Sequence, residues 1–226
     1  MEGDVRTAGD FDAVLFDMDG VLVDSEELIA HAVMTMFKEC YNFDMPRDAF
    51  YPYVGGGENR FIGCPAAEHG LTIDIDFAKA HTYALYDKLA EHYIKVFPGA
   101  PEYVRACREL GFKVALASAA DLEKVLVNLR ILGISADFFD AVVTGSEVER
   151  KKPFPDIYLK AASKLGVDPR RCLVVEDAVN GIIAGRAAGA RCLGVTTSFP
   201  EAKLREVGAG WCARNLGAAP LPTQLG

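Results

Sequence analysis

Three short apolar segments, each ending in a polar side chain, constrain the fold of this sequence most strongly. Ala13–Asp17 ends in an acid, Lys113–Ser118 in a hydroxyl and Cys172–Asp177 in two acids. Apolar runs of this length without polar alternation are typical of parallel strands that are covered on both faces. Weaker patterns of the same kind predict strands at Asp140–Thr144 and Arg191–Val195.

Helical patterns alternate with these strands. Pro101–Leu110, Asp121–Leu132 and Pro155–Leu165 have apolar residues at helical spacing, and a glycine follows each of them. Strands that alternate with helices favour right-handed crossover connections in one sheet. The sequence therefore predicts an α/β fold with a doubly wound, Rossmann-like parallel sheet.

One long stretch interrupts the alternation. From Ser25 to Lys95 no strand pattern is found, and Phe97-Pro98-Gly99 then marks the return to the sheet. The simplest interpretation is a helical cap at residues 25–95, inserted into an α/β core made of residues 10–24 and 96–220. Helices are predicted in this insertion at Glu26–Glu39, Glu58–Gly70 and Phe77–Tyr93.

Composition excludes several classes of protein. A net charge of −8 over 226 residues disfavours general binding to nucleic acid, and no apolar run approaches the roughly 18 residues that span a bilayer. Met1 to Asp10 lacks the basic start and apolar stretch of a secretory signal, and the chain ends Met1–Gly9 and Gly217–Gly226 are expected to fray. The six cysteines are scattered, without CxxC pairs, and are expected to be reduced. We therefore expect a cytoplasmic protein, a monomer or weak dimer, with no nucleic-acid or membrane partner.

Acidic residues dominate the predicted strand ends. Because ligands of open α/β sheets bind beyond the carboxyl ends of the strands, Asp17, Asp19, Ser118, Glu176 and Asp177 are expected to converge. Crowded carboxylates repel one another unless a cation lies among them, and oxygen ligands together with a phosphate-bearing partner favour Mg²⁺. The alternative is that these residues only form turns and cap helices.

Four motifs in chain order support the functional interpretation. They are Asp17-Met-Asp-Gly-Val-Leu-Val-Asp-Ser25, Ser118, Lys152-Pro-Phe-Pro-Asp-Ile-Tyr158 and Glu176-Asp-Ala-Val-Asn-Gly181. Together they resemble the haloacid dehalogenase superfamily of phosphohydrolases and phosphomutases. The resemblance runs from about Phe11 to Val195 and covers most of the chain.

The resemblance implies roles for the acidic residues. Asp17 would be the nucleophile that forms an aspartyl-phosphate, and Asp19 the acid/base for the leaving group and the attacking water. Mg²⁺ would be held by the carboxylate of Asp17, the backbone carbonyl of Asp19 and the side chain of Asp177, with Glu176 at or beside the metal.

It also implies how a phosphoryl group would be bound. Ser118, Lys152 and backbone amides such as that of Ala119 would stabilise the transferred group and bind the substrate. In the cap, Arg60 of the segment Gly55-Gly-Gly-Glu-Asn-Arg60 is a candidate contact for the rest of the substrate. The alternative interpretation of this segment is a flexible linker followed by an exposed basic residue.

The predicted function is a Mg²⁺-dependent phosphatase of a small phosphorylated metabolite, with a sugar phosphate as the expected substrate. Dehalogenation is disfavoured because it needs no acid for its leaving group, and Asp19 is present. The alternative is a β-phosphoglucomutase-like mutase, which the helical insertion and Ser25 favour. However, Ile29 stands where that branch has a cap histidine, and His31 follows two residues later. A non-catalytic binding domain of the same fold is a third hypothesis.

Overall fold

A computed structural model describes residues 11–53 and 56–225. Within these residues there are eight strands and eight α-helices, with a run of three helices between the second and third strands and alternation of strands and helices after it. In chain order the elements are β1 (Ala13–Phe16), β2 (Val23–Asp24), α1 (Glu26–Tyr41), α2 (Glu58–Glu68), α3 (Ile75–Tyr93), β3 (Lys95–Val96), α4 (Ala100–Glu109), β4 (Lys113–Ala117), α5 (Leu122–Leu132), β5 (Ala141–Val143), α6 (Asp156–Leu165), β6 (Cys172–Glu176), α7 (Val179–Ala187), β7 (Arg191–Val195), α8 (Glu201–Glu206) and β8 (Trp211–Ala213).

The main sheet has six strands in the order β5-β4-β1-β6-β7-β8, and every neighbouring pair is parallel. This confirms the predicted doubly wound sheet. From β1 the chain passes to β4 on one side, and β6 lies on the other, so the strand order reverses at β1. Such a switch point opens a crevice at the carboxyl ends of the strands.

Side chains of β1 alternate between two apolar clusters. Val14 and Phe16 face the cluster that includes α4, α5 and much of the helical run, whereas Ala13 and Leu15 face the cluster of α6, α7 and α8. This alternation is the period of a strand, and burial on both faces explains why its sequence is continuously apolar.

We call α1 to α3 and their connections the helical insert. The sequence predicted its helices, but not the two-stranded sheet at its base, where Val23–Asp24 pairs antiparallel with Lys95–Val96. Two-residue strands have no periodicity that a sequence pattern can reveal. A 3₁₀ helix at Arg47–Tyr53 occupies part of the connection between α1 and α2. That the insert moves as a separate cap stays a prediction.

Both chain ends were expected to fray, and the structure describes most of one of them. Met1 to Gly9 lies outside the described residues. Gly217 to Gly226 was expected to fray, and for the described part this is wrong, because the Tyr103 hydroxyl donates to the Pro220 carbonyl at 2.8 Å and Leu225 is buried. Among the described residues, no helix is both long and apolar enough to cross a membrane.

Candidate active site

The candidate site lies where β1, β4 and β6 end side by side. Residues at or just past these strand ends are Asp17, Ser118, Glu176 and Asp177, and all four are buried. Residues that are about 60 to 160 positions apart in sequence therefore meet at one edge of the sheet, as predicted.

Lys152 joins two of these carboxylates. Its Nζ donates at 2.6 Å to Oδ1 of Asp17 and at 2.6 Å to Oε1 of Glu176, and its side chain is only 9% exposed. The Tyr158 hydroxyl donates to the same Oε1 at 2.8 Å. Both oxygens of Glu176 are engaged, because Oε2 accepts the backbone N–H groups of Asp177 and Ala178 at 3.0 and 3.1 Å.

Gly20 makes room for the last carboxylate of the group. Its φ is +85°, and a Cβ built on it would lie 2.0 Å from Oδ2 of Asp177. A side chain there would displace the Asp177 carboxylate. The first motif therefore needs glycine both for the turn after β1 and for this close approach.

Burial and mutual repulsion shift the pKa values of the carboxyl groups. Burial raises the pKa of Asp17 to about 7, with Lys152 opposing and Glu176 adding to the rise. Burial also raises the pKa of Asp177 well above its usual value, and the charges of Glu176 and Asp17 add to this effect. Burial also favours a higher pKa for Glu176. The charge of Lys152 and the groups that donate hydrogen bonds to Glu176 outweigh burial, so the pKa of Glu176 is lowered.

The donor set fits a hard divalent cation. Oxygen atoms of Asp17, Glu176 and Asp177 lie within 4.8 Å of one another, and one lysine does not balance three carboxylates. Because Glu176 is saturated by protein donors, the carboxylates of Asp17 and Asp177 are better placed to bind metal directly. Added positive charge would relieve the repulsion that raises their pKa values.

Asp19 lies apart from this group. Its Oδ1 contacts Lys124 Nζ at 3.0 Å and Asn128 Nδ2 at 3.2 Å, and it also accepts a hydrogen bond from the Ser25 hydroxyl. Lys124 and Asn128 are 6% and 0% exposed. They stand one turn apart on α5, so the same face of that helix presents both to Asp19.

Sequence reasoning did not single out Lys124 or Asn128. The available signal was a lysine and an asparagine four residues apart in a helical pattern that also contains the charged residues Glu123 and Arg130. A lone lysine in a helix usually faces solvent, so the pattern becomes informative only once the partner Asp19 is known.

Ser118 and Ala119 form the third side of the site. The Ser118 hydroxyl accepts the backbone N–H of Ala120 at 3.2 Å, and the Ser118 N–H donates to the Val143 carbonyl at 3.0 Å. A Cβ on Gly145 would lie 2.0 Å from the Ala119 carbonyl oxygen, so the loop after β5 packs tightly against this backbone.

The helical insert covers the site through α3, which packs on α5. The Tyr86 hydroxyl donates to Asn128 Oδ1 at 2.6 Å, and the Tyr83 hydroxyl donates to Asp121 Oδ2 at 2.9 Å. Lys79 forms an ion pair with the same Asp121 oxygen. Asp121 is the N-cap residue of α5, but its side chain accepts no capping hydrogen bond and binds the insert instead.

The three insert residues considered from the sequence, Arg60, Ile29 and His31, lie elsewhere. Arg60 is exposed on α2 and lies near Tyr53, and no contact with Asp17 or Ser118 is observed among the described residues. Its role in substrate binding stays a prediction. Ile29 is 6% exposed, and His31 stacks on Tyr93 with ring centroids 5.3 Å apart. Glu58, two residues before Arg60, is buried instead.

Comparison with known proteins agrees with this architecture. Residues 11–189 match the family model of haloacid dehalogenase-like hydrolases, and the chain belongs to this family. Hexitol phosphatase B of Escherichia coli K12 is 34% identical over 206 residues, which cover 84% of this chain and 85% of that protein.

Two further similarities extend the comparison. The chain is 42% identical over 212 residues to Protein SUPPRESSOR OF QUENCHING 1, chloroplastic, of Arabidopsis thaliana; the match covers 92% of this chain but spans only 20% of that protein. The crystal structure of CbbY from Rhodobacter sphaeroides in complex with phosphate superposes with a TM-score of 0.81 at 27% identity, and covers 92% of this chain and 95% of that one.

Proposed function

We propose that this hydrolase is a Mg²⁺-dependent phosphatase that acts on a small phosphomonoester, in particular a sugar phosphate, through an aspartyl-phosphate on Asp17. The observation that carries the proposal is the buried group of Asp17, Lys152, Glu176 and Asp177 at the switch point of the sheet. Membership of the hydrolase family and the similarity to a hexitol phosphatase support it.

Each residue has a task in this proposal. Asp17 attacks phosphorus, so that one difficult displacement is divided into two easier ones. Lys152 orients the Asp17 carboxylate and offers positive charge to the phosphoryl oxygens, while Ser118 and the Ala119 amide donate to them. Mg²⁺, held by Asp17, the Asp19 carbonyl and Asp177 with Glu176 beside it, would supply charge that lets two anions approach.

Asp19 is the acid and base of the proposed reaction. It protonates the leaving oxygen and later takes a proton from the attacking water. In the structure its carboxylate is held by Lys124, Asn128 and Ser25. These contacts fix its position under the helical insert, which we propose to be a cap that excludes water during transfer.

The mutase alternative has less support. It requires a residue of the insert that acts on the acid/base, Asp19. At the position where the mutase branch has a histidine, this chain has the buried Ile29. Asp19 is contacted by Lys124 and Asn128 of α5 and by Ser25, and none of these is a histidine. A mutase would also relocate phosphate without releasing it, so product identity separates the two functions.

The test is a phosphate-release and product assay over small phosphomonoesters, with Mg²⁺ or with a chelator. It includes β-glucose 1-phosphate with and without its bisphosphate activator. We expect Mg²⁺-dependent release of inorganic phosphate that is lost in Asp17→Asn. The matched control is Asp44→Asn, an exposed carboxylate paired with Lys38 on the surface. Conversion to the 6-phosphate without release would favour the mutase, and the absence of any turnover would favour a binding domain.

A further inference from the structure

Glu58 is a buried carboxylate with an unused acceptor. It is the first residue of α2, is 7% exposed, and its Oε2 has no hydrogen-bond partner among the described residues. A buried charged oxygen without a partner is costly, so it is rare unless something else binds there. The proposed chemistry does not use this oxygen.

Its position is next to the phosphoryl end of the site. A Cβ on the preceding residue, Gly57, would lie 3.8 Å from the Ala119 carbonyl and 3.5 Å from Lys151 Cε. The start of α2 therefore lies directly above the loop that follows β4.

The electrostatic neighbours of the Glu58 carboxylate include the proposed acid/base. Burial raises the pKa of Glu58, Lys124 opposes this, and the charges of Asp121 and Asp19 add to it. Glu58 is thus close to Asp19, the group that we propose protonates the leaving oxygen.

The cations around Glu58 already have partners. Lys124 contacts Asp19, Lys79 is paired with Asp121, and Lys151 donates to the Gly145 carbonyl. Among the described residues, none of these lysines is hydrogen-bonded to Oε2 of Glu58. Because this oxygen is also shielded from solvent, a group from outside the chain reaches it when the insert opens. That group must be a hydrogen-bond donor, because the oxygen belongs to a carboxylate.

We propose that Glu58 determines substrate specificity: its Oε2 accepts a hydrogen bond from a hydroxyl group of the leaving group, and its charge excludes a second phosphate or a carboxylate at that place. The inference rests on the proposed phosphatase function and narrows its substrates to monophosphates of polyols or sugars. A second anion would lie beside a buried carboxylate, where little solvent screens the repulsion.

The experiment compares kcat/KM for sorbitol 6-phosphate, phosphoglycolate and p-nitrophenyl phosphate in the wild-type chain and two variants. Hydrogen bonds to charged groups predict that Glu58→Ala lowers the value for sorbitol 6-phosphate about tenfold or more. We expect the value for phosphoglycolate to rise about tenfold, and that for p-nitrophenyl phosphate, which has neither group, to stay within about twofold.

Glu58→Gln separates the two effects, since it keeps an acceptor oxygen and removes the charge. We expect it to retain most activity toward sorbitol 6-phosphate while gaining activity toward phosphoglycolate. The control is Glu91→Gln, an exposed carboxylate on α3 of the same insert, which should leave both values unchanged. Thermal unfolding of each variant checks that it is folded.

Two failures can be told apart. If the wild-type chain releases no phosphate from any of the three compounds, or if Asp17→Asn still releases phosphate, the proposed function is overturned and this inference with it. A working phosphatase in which both Glu58 variants change all three substrates equally, or none, overturns this inference alone.

Discussion

At the scale of single residues, the close approach of Gly20 and Asp177 limits which side chains position 20 can carry. The space available to a Cβ at Gly20 is filled by the Asp177 carboxylate, 2.0 Å away. The proposed metal ligand is thus positioned by the absence of a side chain on its neighbour. Adding one methyl group at position 20 tests whether the placement of the Asp177 carboxylate matters.

Gly20→Ala is expected to weaken Mg²⁺ binding at least about tenfold and to lower phosphate release accordingly, because Asp177 must move. Gly111→Ala is the matched control: Gly111 has the same φ of +85° but nothing within 4 Å of its Cβ. Both variants carry the backbone strain of about 1–2 kcal/mol, so only the collision distinguishes them. Equal Mg²⁺ titration curves for the two variants would contradict the account.

At the scale of elements, α3 of the insert packs on α5, the helix that contacts Asp19. One part of this seam is shielded, where Asp121 binds Lys79 and Tyr83. Another part is exposed, where Arg130 pairs with Asp87 at 2.7 Å and both side chains are about half exposed. Solvent-exposed ion pairs contribute little to stability, so the shielded contacts of Asp121 should contribute most to holding α3 on α5.

Asp121→Ala is expected to loosen α3, because it removes an ion-pair partner and a hydrogen-bond acceptor from the seam. Amide exchange over Ile75–Tyr93 should become several-fold faster, and KM should rise. Asp87→Ala, on the same helix pair, should change neither by more than about twofold. If the two variants exchange equally fast, Asp121 does not hold the seam closed.

The elements also show what a sequence can predict. Asp17, Glu176 and Asp177 were placed together because parallel strands align their carboxyl ends and burial makes β1 and β6 continuously apolar. Lys152 followed from a motif in chain order. These inferences depend on local patterns and on a single topological rule.

The contacts across the seam could not be predicted in this way. Lys124 and Asn128 become informative only once Asp19 is known to be their partner, and Glu58 only when the insert is packed against the core. Nothing in their local sequence distinguishes them from residues on a solvated helix face. The short strands β2 and β3 were missed for a similar reason, since their pairing joins residues that lie about 70 positions apart.

At the scale of the whole molecule, the distribution of cysteines agrees with a fold that does not depend on disulfides. All six thiols are free. Cys107, Cys172 and Cys192 are buried, and burial raises the pKa of each to about 12. Buried thiols of this kind behave as small apolar side chains.

Alkylation of the native chain at pH 8 should therefore modify only the half-buried Cys40, Cys64 and Cys212. Denaturation without reductant should expose all six thiols. Mass spectrometry of the digested protein identifies the modified sites. Native modification of Cys107, or fewer than six thiols after denaturation, would contradict the description of the core.

The central claim is that Asp17 carries the phosphoryl group. We would stop the reaction during turnover of a phosphomonoester with Mg²⁺, reduce the protein with borohydride and sequence its peptides by mass spectrometry. An aspartyl-phosphate is reduced to homoserine, so the account predicts homoserine at position 17, and none in Asp17→Asn or in the presence of a chelator. Phosphate release without homoserine at position 17, or with homoserine at another aspartate, would contradict it.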